Sequence, residues 1–181
     1  MGKTIVLGVT GSIASYKACE VISILRKKGH TVKCVMSPDA KWFITPLTLE
    51  TLTNEKVIDD MFSLPENRDP VHISLADEAD AILVAPATAD TIGKVASGIC
   101  DNILTCIIAA SSCPVIFAPA MNDKMFTNSI VQDKIAYLKE KGYYFIDPVE
   151  GHLACGRDGV GHLADVEKIV EETEKILSCK I

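Results

Sequence analysis

A chain of 181 residues has the length of one ordinary domain and is long enough to close a full core. Hydrophobic residues make up 48% and charged residues 23%, which excludes a disordered or fibrous chain. The formal net charge of -6 leaves no basic surplus for gripping a nucleic-acid backbone, so any bound anion must be held locally, by backbone N–H groups or a few side chains.

Thr4–Val9 is a short β-branched run bounded by Gly8 and Gly11, the pattern of a strand buried on both faces. Ala18, Val21, Ile22 and Leu25 then repeat at helical spacing, with Gly29 as the stop. Thr31–Met36 reads as a second strand and Ala81–Ala85 as a third, followed by a helix from about Thr88 to Gly98. Ile103–Ala110 reads as a buried helix and Pro114–Ala118 as the fourth strand. The uncharged stretch from Ile103 to Met121 is thus helix then strand rather than a membrane span, broken as it is by Ser111, Ser112, Pro114 and Pro119. Val131, Ile135 and Leu138 mark a helix ending near Gly142, and Tyr143–Ile146 a fifth strand. Asp165 is expected to cap a last helix with the face Val166, Ile169, Val170, Thr173, Ile176 and Leu177. Alternating strands and helices predict one doubly wound α/β domain over residues 1–181, Rossmann-like or flavodoxin-like, with a mostly parallel sheet. Met61–Pro70 and Asp147–Leu163 read as long loops, and loops of that length in a compact domain usually serve function.

The chemistry-bearing segments sit at the ends of these strands, where open α/β sheets bind ligands. Gly8-Val9-Thr10-Gly11-Ser12-Ile13 offers N–H groups and the Ser12 hydroxyl to a phosphate, or equally a tight turn with Ser12 as helix cap. Its spacing is neither the dinucleotide fingerprint nor a Walker loop. Ser37-Pro38-Asp39 after the second strand is by itself a helix start. Ala85-Pro86-Ala87-Thr88 gives small residues against which a flat ring can lie, with Thr88 as cap or ligand. His72 alone reads as structural or exposed. In Pro119-Ala120-Met121-Asn122, Asn122 either caps the next helix or bonds a carboxylate. Gly151 to His162 is a glycine-rich flap centred on Cys155, whose neighbour Arg157 favours a reactive thiolate. The other six of the seven cysteines read as small hydrophobes; the odd count and the absence of a CxxC pair argue against a disulfide framework or a metal site, and a reducing cytoplasm is expected.

Taken together and in this order, the Gly-Ser-Ile turn, the histidine before the third strand, Ala-Pro-Ala-Thr, Pro-x-Met-Asn-x-x-Met and Ala-Cys-Gly resemble the homo-oligomeric flavin-containing cysteine decarboxylases, over nearly the whole chain. The resemblance implies FMN as cofactor, bound at a subunit interface of a trimer or of a dodecamer of trimers. It implies flavin contacts at Gly11, Ser12, Ile13, Ser37, Phe43, Thr45, Ala87 and Thr88. His72 and Cys155 would be catalytic; Asn122, Met121, Ala154 and Gly156 would meet the substrate. The implied reaction converts 4′-phospho-N-pantothenoylcysteine to 4′-phosphopantetheine in coenzyme A biosynthesis: oxidation of the cysteine to a thioaldehyde, loss of CO2 and re-reduction of the enethiol, with Cys155 as proton donor. A separate phosphopantothenoylcysteine synthetase is the implied partner, with neither nucleic acid nor membrane. The alternatives are a peptidyl-cysteine decarboxylase of lantibiotic maturation, which does not need the flap cysteine, and a non-catalytic FMN-binding regulatory subunit. A flavin prenyltransferase should lack Pro-x-Met-Asn, and a flavodoxin-like electron carrier would leave the flap unexplained. Two positions depart from the family pattern: Phe126 stands for its usual Trp, and His162 for its usual Arg.

Overall fold

The computed structural model describes residues 2–62, 70–152, 156 and 158–179. The strands are β1 (Thr4–Val9), β2 (Thr31–Met36), β3 (Ala81–Ala87), β4 (Val115–Pro119), β5 (Tyr144–Phe145), β6 (Val149–His152) and β7 (Asp158–His162). The helices are α1 (Ala18–Lys27), α2 (Pro46–Thr53), α3 (Val71–Glu78), α4 (Ala89–Ala96), α5 (Ile103–Ala110), α6 (Asp123–Phe126), α7 (Ser129–Glu140) and α8 (Val166–Ser178). Two 3-10 turns, Ile13–Lys17 and Pro38–Trp42, follow β1 and β2.

The main sheet has five parallel strands in the order β2-β1-β3-β4-β5. This is the expected doubly wound sheet. Its period-2 alternation fills two cores. Ile5, Leu7 and Val9 face α1 and α8 with Val21, Ile22, Leu25, Ile169 and Val170. Val6 faces the opposite layer with Ile82, Val84, Ile107 and Phe117. β5 is short, and Phe117 holds it through ring contacts with Phe145 at 5.1 Å and Tyr143 at 6.0 Å. Among the described residues, no helix is long and apolar enough to cross a membrane.

The structure corrects the sequence expectations at several points. β3 runs on to Ala87 through a register shift after Val84, because Pro86 has no N–H for the ladder. The first helix opens with a 3-10 turn before α1. α2 was not foreseen, although Pro46 at its first turn and Asn54 with φ 57 at its end are start and stop signals. α3 contains His72 and packs on α5. The segment 147–163 is not a loop throughout: β6 and β7 form an antiparallel hairpin. Asp165 stands at the N-cap of α8 but its side chain makes no cap hydrogen bond. Cys100 and Cys179 are exposed rather than packed inside, while burial pushes the Cys34 thiol up to about 12.

Candidate functional site

In a 2-1-3-4-5 sheet the chain leaves β1 to one side and later returns to β3 on the other, so the loops after β1 and β3 part and open a crevice at the carboxyl ends of the strands. A cavity of about 660 Å³ lies there. Its volume suits a small molecule or cofactor, for which roughly 300–1,000 Å³ is usual. Gly11, Ser12 and Ile13 come from the β1 turn, Ser37 and Phe43 from the β2 side, Thr88 from the end of β3, and Met121 and Asn122 from the end of β4.

A fully buried threonine joins the two strand ends that frame the crevice. Thr10 Oγ1 donates to the Pro86 carbonyl at 2.7 Å and accepts from the Thr88 N–H at 3.1 Å. The turn that follows is tied internally. The Ser12 N–H donates to Thr10 O at 2.8 Å, and the Ser12 hydroxyl accepts from Ala14 N–H at 3.3 Å. The cap reading of Ser12 therefore holds, with the hydroxyl still on the cavity wall. Thr88 likewise caps α4, accepting from Thr91 N–H at 3.3 Å, and lines the cavity. Asn122 Oδ1 accepts from Lys124 N–H at 3.0 Å, which orients the amide at the start of α6. Ser37 is buried on the wall and makes no cap hydrogen bond with its hydroxyl.

The hairpin closes one side. The Met121 N–H donates to Gly161 O at 3.0 Å. A Cβ at Gly161 would stand 2.2 Å from Met121 O, and its φ of +143 disfavours any side chain, so only glycine permits this approach. His162, the next residue, faces the cavity, with its Nε2 3.2 Å from Lys17 Nζ. As Lys17 donates, Nε2 is the acceptor and the ring proton sits on Nδ1.

The charges on the wall are unevenly compensated. Lys94 bridges Asp90 at 3.1 Å and Asp101 at 3.0 Å; these bonds raise its pKa, and its hydrogen bond lowers that of Asp101. Asp39 packs on Gly11 through its Cβ and backbone, its Cβ 2.6 Å from where a Cβ on Gly11 would stand, and it also lines the cavity.

Four other expected residues lie elsewhere. Ala87 is fully buried behind the wall, where its carbonyl takes the Ala120 N–H at 3.0 Å. The exposed Thr45 begins α2, and its hydroxyl meets that of Thr48 at 3.2 Å. Gly156 is exposed with φ +79, away from the lining. His72 sits half-buried in the first turn of α3 and is not among the lining residues. Cys155 and Ala154 lie outside the described residues. Sequence reasoning missed Thr10, Lys17, Asp39 and Gly161. The signal for Thr10 was a polar residue between two glycines at a buried strand's end; for Lys17 it was a cation one turn beyond Ser12.

The chain matches the family model described as Flavoprotein over residues 1–178. It is 46% identical over 169 residues to the Coenzyme A biosynthesis bifunctional protein CoaBC of Borreliella burgdorferi, covering 93% of this chain but 43% of that protein. It thus spans less than half the length of that bifunctional relative. It is 44% identical over 179 residues to the protein of Streptococcus mutans named probable phosphopantothenoylcysteine decarboxylase, covering 98% of this chain and 100% of that one. Among solved structures it is similar to a cysteine-to-serine mutant of PPC decarboxylase complexed with pantothenoylaminoethenethiol, with a TM-score of 0.90, 29% identity and coverage of 98% and 100%. It is also similar to the FMN binding protein AtHal3, with a TM-score of 0.88, 29% identity and 100% coverage of both chains.

Proposed function

This chain belongs to the Flavoprotein family, and from that premise we propose that it is an FMN-dependent decarboxylase converting 4′-phospho-N-pantothenoylcysteine to 4′-phosphopantetheine in coenzyme A biosynthesis. The observation that carries the reading is the convergence of Ser12, Thr88, Met121 and Asn122 on one cavity at the switch point of the sheet. The cavity fits the cofactor. Ile13, Ala89, Ala120 and Met121 give apolar walls for a flat ring, and Ser12, Ser37 and Thr88 place hydroxyls around it. Bound FMN would supply a reversible two-electron acceptor, which would oxidise the substrate's cysteine side chain to a thioaldehyde whose C=S group takes up the electrons left by CO2.

The protein's own residues then divide the remaining work. Gly11, Ser12, Ile13, Ser37, Phe43 and Thr88 hold the cofactor, with Ala87 buried behind them; the same role for Thr45, at the start of α2, rests on the family resemblance. Asn122 holds the substrate carboxylate through its Nδ2 donor, beside Met121, so that it leaves from a fixed orientation. Ala154 and Gly156 would meet the substrate, a role that rests on the family resemblance. His72 handles the proton that leaves in the oxidation, and Cys155 Sγ returns one to the enethiol. Since His72 is not on the cavity wall of its own chain, it serves the cavity of a neighbouring copy in a homotrimer or a dodecamer of trimers. The enzyme works in the cytoplasm, beside a phosphopantothenoylcysteine synthetase.

Mass spectrometry of 4′-phospho-N-pantothenoylcysteine incubated with the purified holoprotein tests this reading. The wild type should produce a species lighter by CO2 alone. Cys155→Ser should produce one lighter by CO2 and two hydrogens, the enethiol left unreduced. Normal product at full rate from Cys155→Ser would remove the flap thiol from the mechanism. The enethiol as the wild-type product would move the protein to the peptidyl-cysteine decarboxylases. An unchanged substrate with a flavin-coloured protein would leave an FMN-binding regulatory subunit.

A further inference from the structure

We propose that Lys17 and His162 form a clamp for a phosphomonoester at the rim of the cavity; naming its two possible ligands rests on the function proposed above. The two residues are 145 positions apart in sequence, and their side chains meet at 3.2 Å. They meet because β7 is seated on Met121, which carries His162 over the end of the 3-10 turn that Lys17 closes. Both are half-buried and line the cavity, and Lys17 is the sole lysine or arginine among the described lining residues. Lys3, Lys28, Lys33 and Lys94 each meet a carboxylate. Lys17 meets an imidazole nitrogen instead, and no carboxylate pairs with it among the described residues. Its charge is therefore available to a ligand that enters the cavity.

The other wall charges locate where a dianion would go. Asp90 is already compensated by Lys94, and Asp39 stands against the Gly11 turn. The carboxylates on the wall repel a phosphate and Lys17 attracts it. The ammonium is a compact donor suited to phosphate. The imidazole becomes a second donor when its proton shifts from Nδ1 to Nε2, with no net proton uptake. Two ligands of the proposed reaction carry this group, the cofactor and the substrate, and the experiment separates them.

The His162 ring resonances of the purified holoprotein are followed by NMR during titration with inorganic phosphate. If the clamp is open to the substrate's phosphate, they should move in the wild type and stay still in Lys17→Met; if the cofactor's phosphate already fills it, they stay still in both and FMN retention reads the clamp. Calorimetry of the holoprotein with 4′-phosphopantetheine and with pantetheine reads the substrate's phosphate. Retention of FMN on dilution reads the cofactor's. If the clamp holds the substrate, the wild-type preference for the phosphorylated ligand, about tenfold or more, collapses in Lys17→Met and His162→Ala and survives in Lys17→Arg. If it holds the cofactor, the same variants lose FMN about tenfold more readily and the pantetheine pair is unaffected. Resonances unmoved by phosphate, together with wild-type ligand preference and FMN retention in Lys17→Met, would overturn the clamp. If the decarboxylase reading alone is wrong, neither pantetheine compound binds the wild type, yet phosphate still moves the His162 ring or Lys17→Met still sheds FMN.

Discussion

The buried Thr10 hydroxyl joins β1 to the end of β3 by one donated and one accepted bond, and no water can replace it at 0% exposure. Thr10→Val keeps the shape and strands the Thr88 N–H and the Pro86 carbonyl. It should cost about 1–3 kcal/mol in urea unfolding and weaken FMN binding, while Thr10→Ser should retain both. Equal unfolding curves for Thr10→Val and the wild type would show that the two strand ends hold without this joint. Gly161 makes the opposite kind of demand, for absence of a side chain. Gly161→Ala puts a Cβ 2.2 Å from Met121 O at a φ of +143, so the hairpin must lift from β4. Flavin absorbance after gel filtration should drop in this variant, and a full flavin complement would mean that the hairpin tolerates the displacement. Ser12, Thr88 and Asn122 were legible as residues because caps and strand-end polar groups recur at fixed sequence offsets. Thr10 and Gly161 were not, because each is defined by an atom more than thirty residues away in the chain.

At the scale of elements, the helices that were legible are those with a clear apolar stripe. α1 and α8 each bury one face on the sheet. α2 and α3 mix threonines or acids into short segments and bury only two residues each, Leu49 with Thr53 and Leu75 with Ala76, too few for a periodic signal. The hairpin was illegible for the converse reason: its glycines resemble a loop, and they form strands because small residues let β7 lie against α6. α8 is also tied by charge to the turn between α1 and β2. The hydrogen bond from Lys28 at 2.7 Å, with a smaller one from His30 at 3.4 Å, holds the Glu174 carboxyl below the usual carboxylate range. A depressed folded-state pKa gives stability that is complete above the unfolded value and lost as pH falls through the folded one. The thermal midpoint of the wild type should therefore fall more steeply below about pH 4.3 than that of Glu174→Gln. Parallel curves would show that the Lys28–Glu174–His30 contact contributes nothing to holding α8; as an exposed pair its effect should in any case be small.

For the whole molecule, several large apolar side chains on the cavity wall are exposed. Among the lining residues Ile13 is 62% exposed, Tyr16 55% and Phe43 47%, and Trp42, next to Phe43 in the chain, is 87% exposed. Large side chains clustered in this way mark an interaction surface. They support the proposal that a second copy covers the mouth and brings His72 to it. Trp42→Glu should therefore give a smaller species by light scattering after gel filtration and lose decarboxylation, with the melting of the single chain little changed. A variant that keeps both its assembly and its activity would place the contact elsewhere on the surface.

What the sequence by itself determined is the main sheet and most of its helices, the strand-end location of the site and the residue types that gather there. These rest on local periodicity and on turn chemistry, which act over a few residues. The tertiary structure decided which of those residues share a wall. It brought Lys17 to His162, seated the hairpin on Met121 and left His72 on α3 apart from its own cavity. The physical reason is that a side chain's partner is set by the crossing of distant segments in three dimensions, and no spacing along the chain encodes which atoms meet when a strand folds back over a turn.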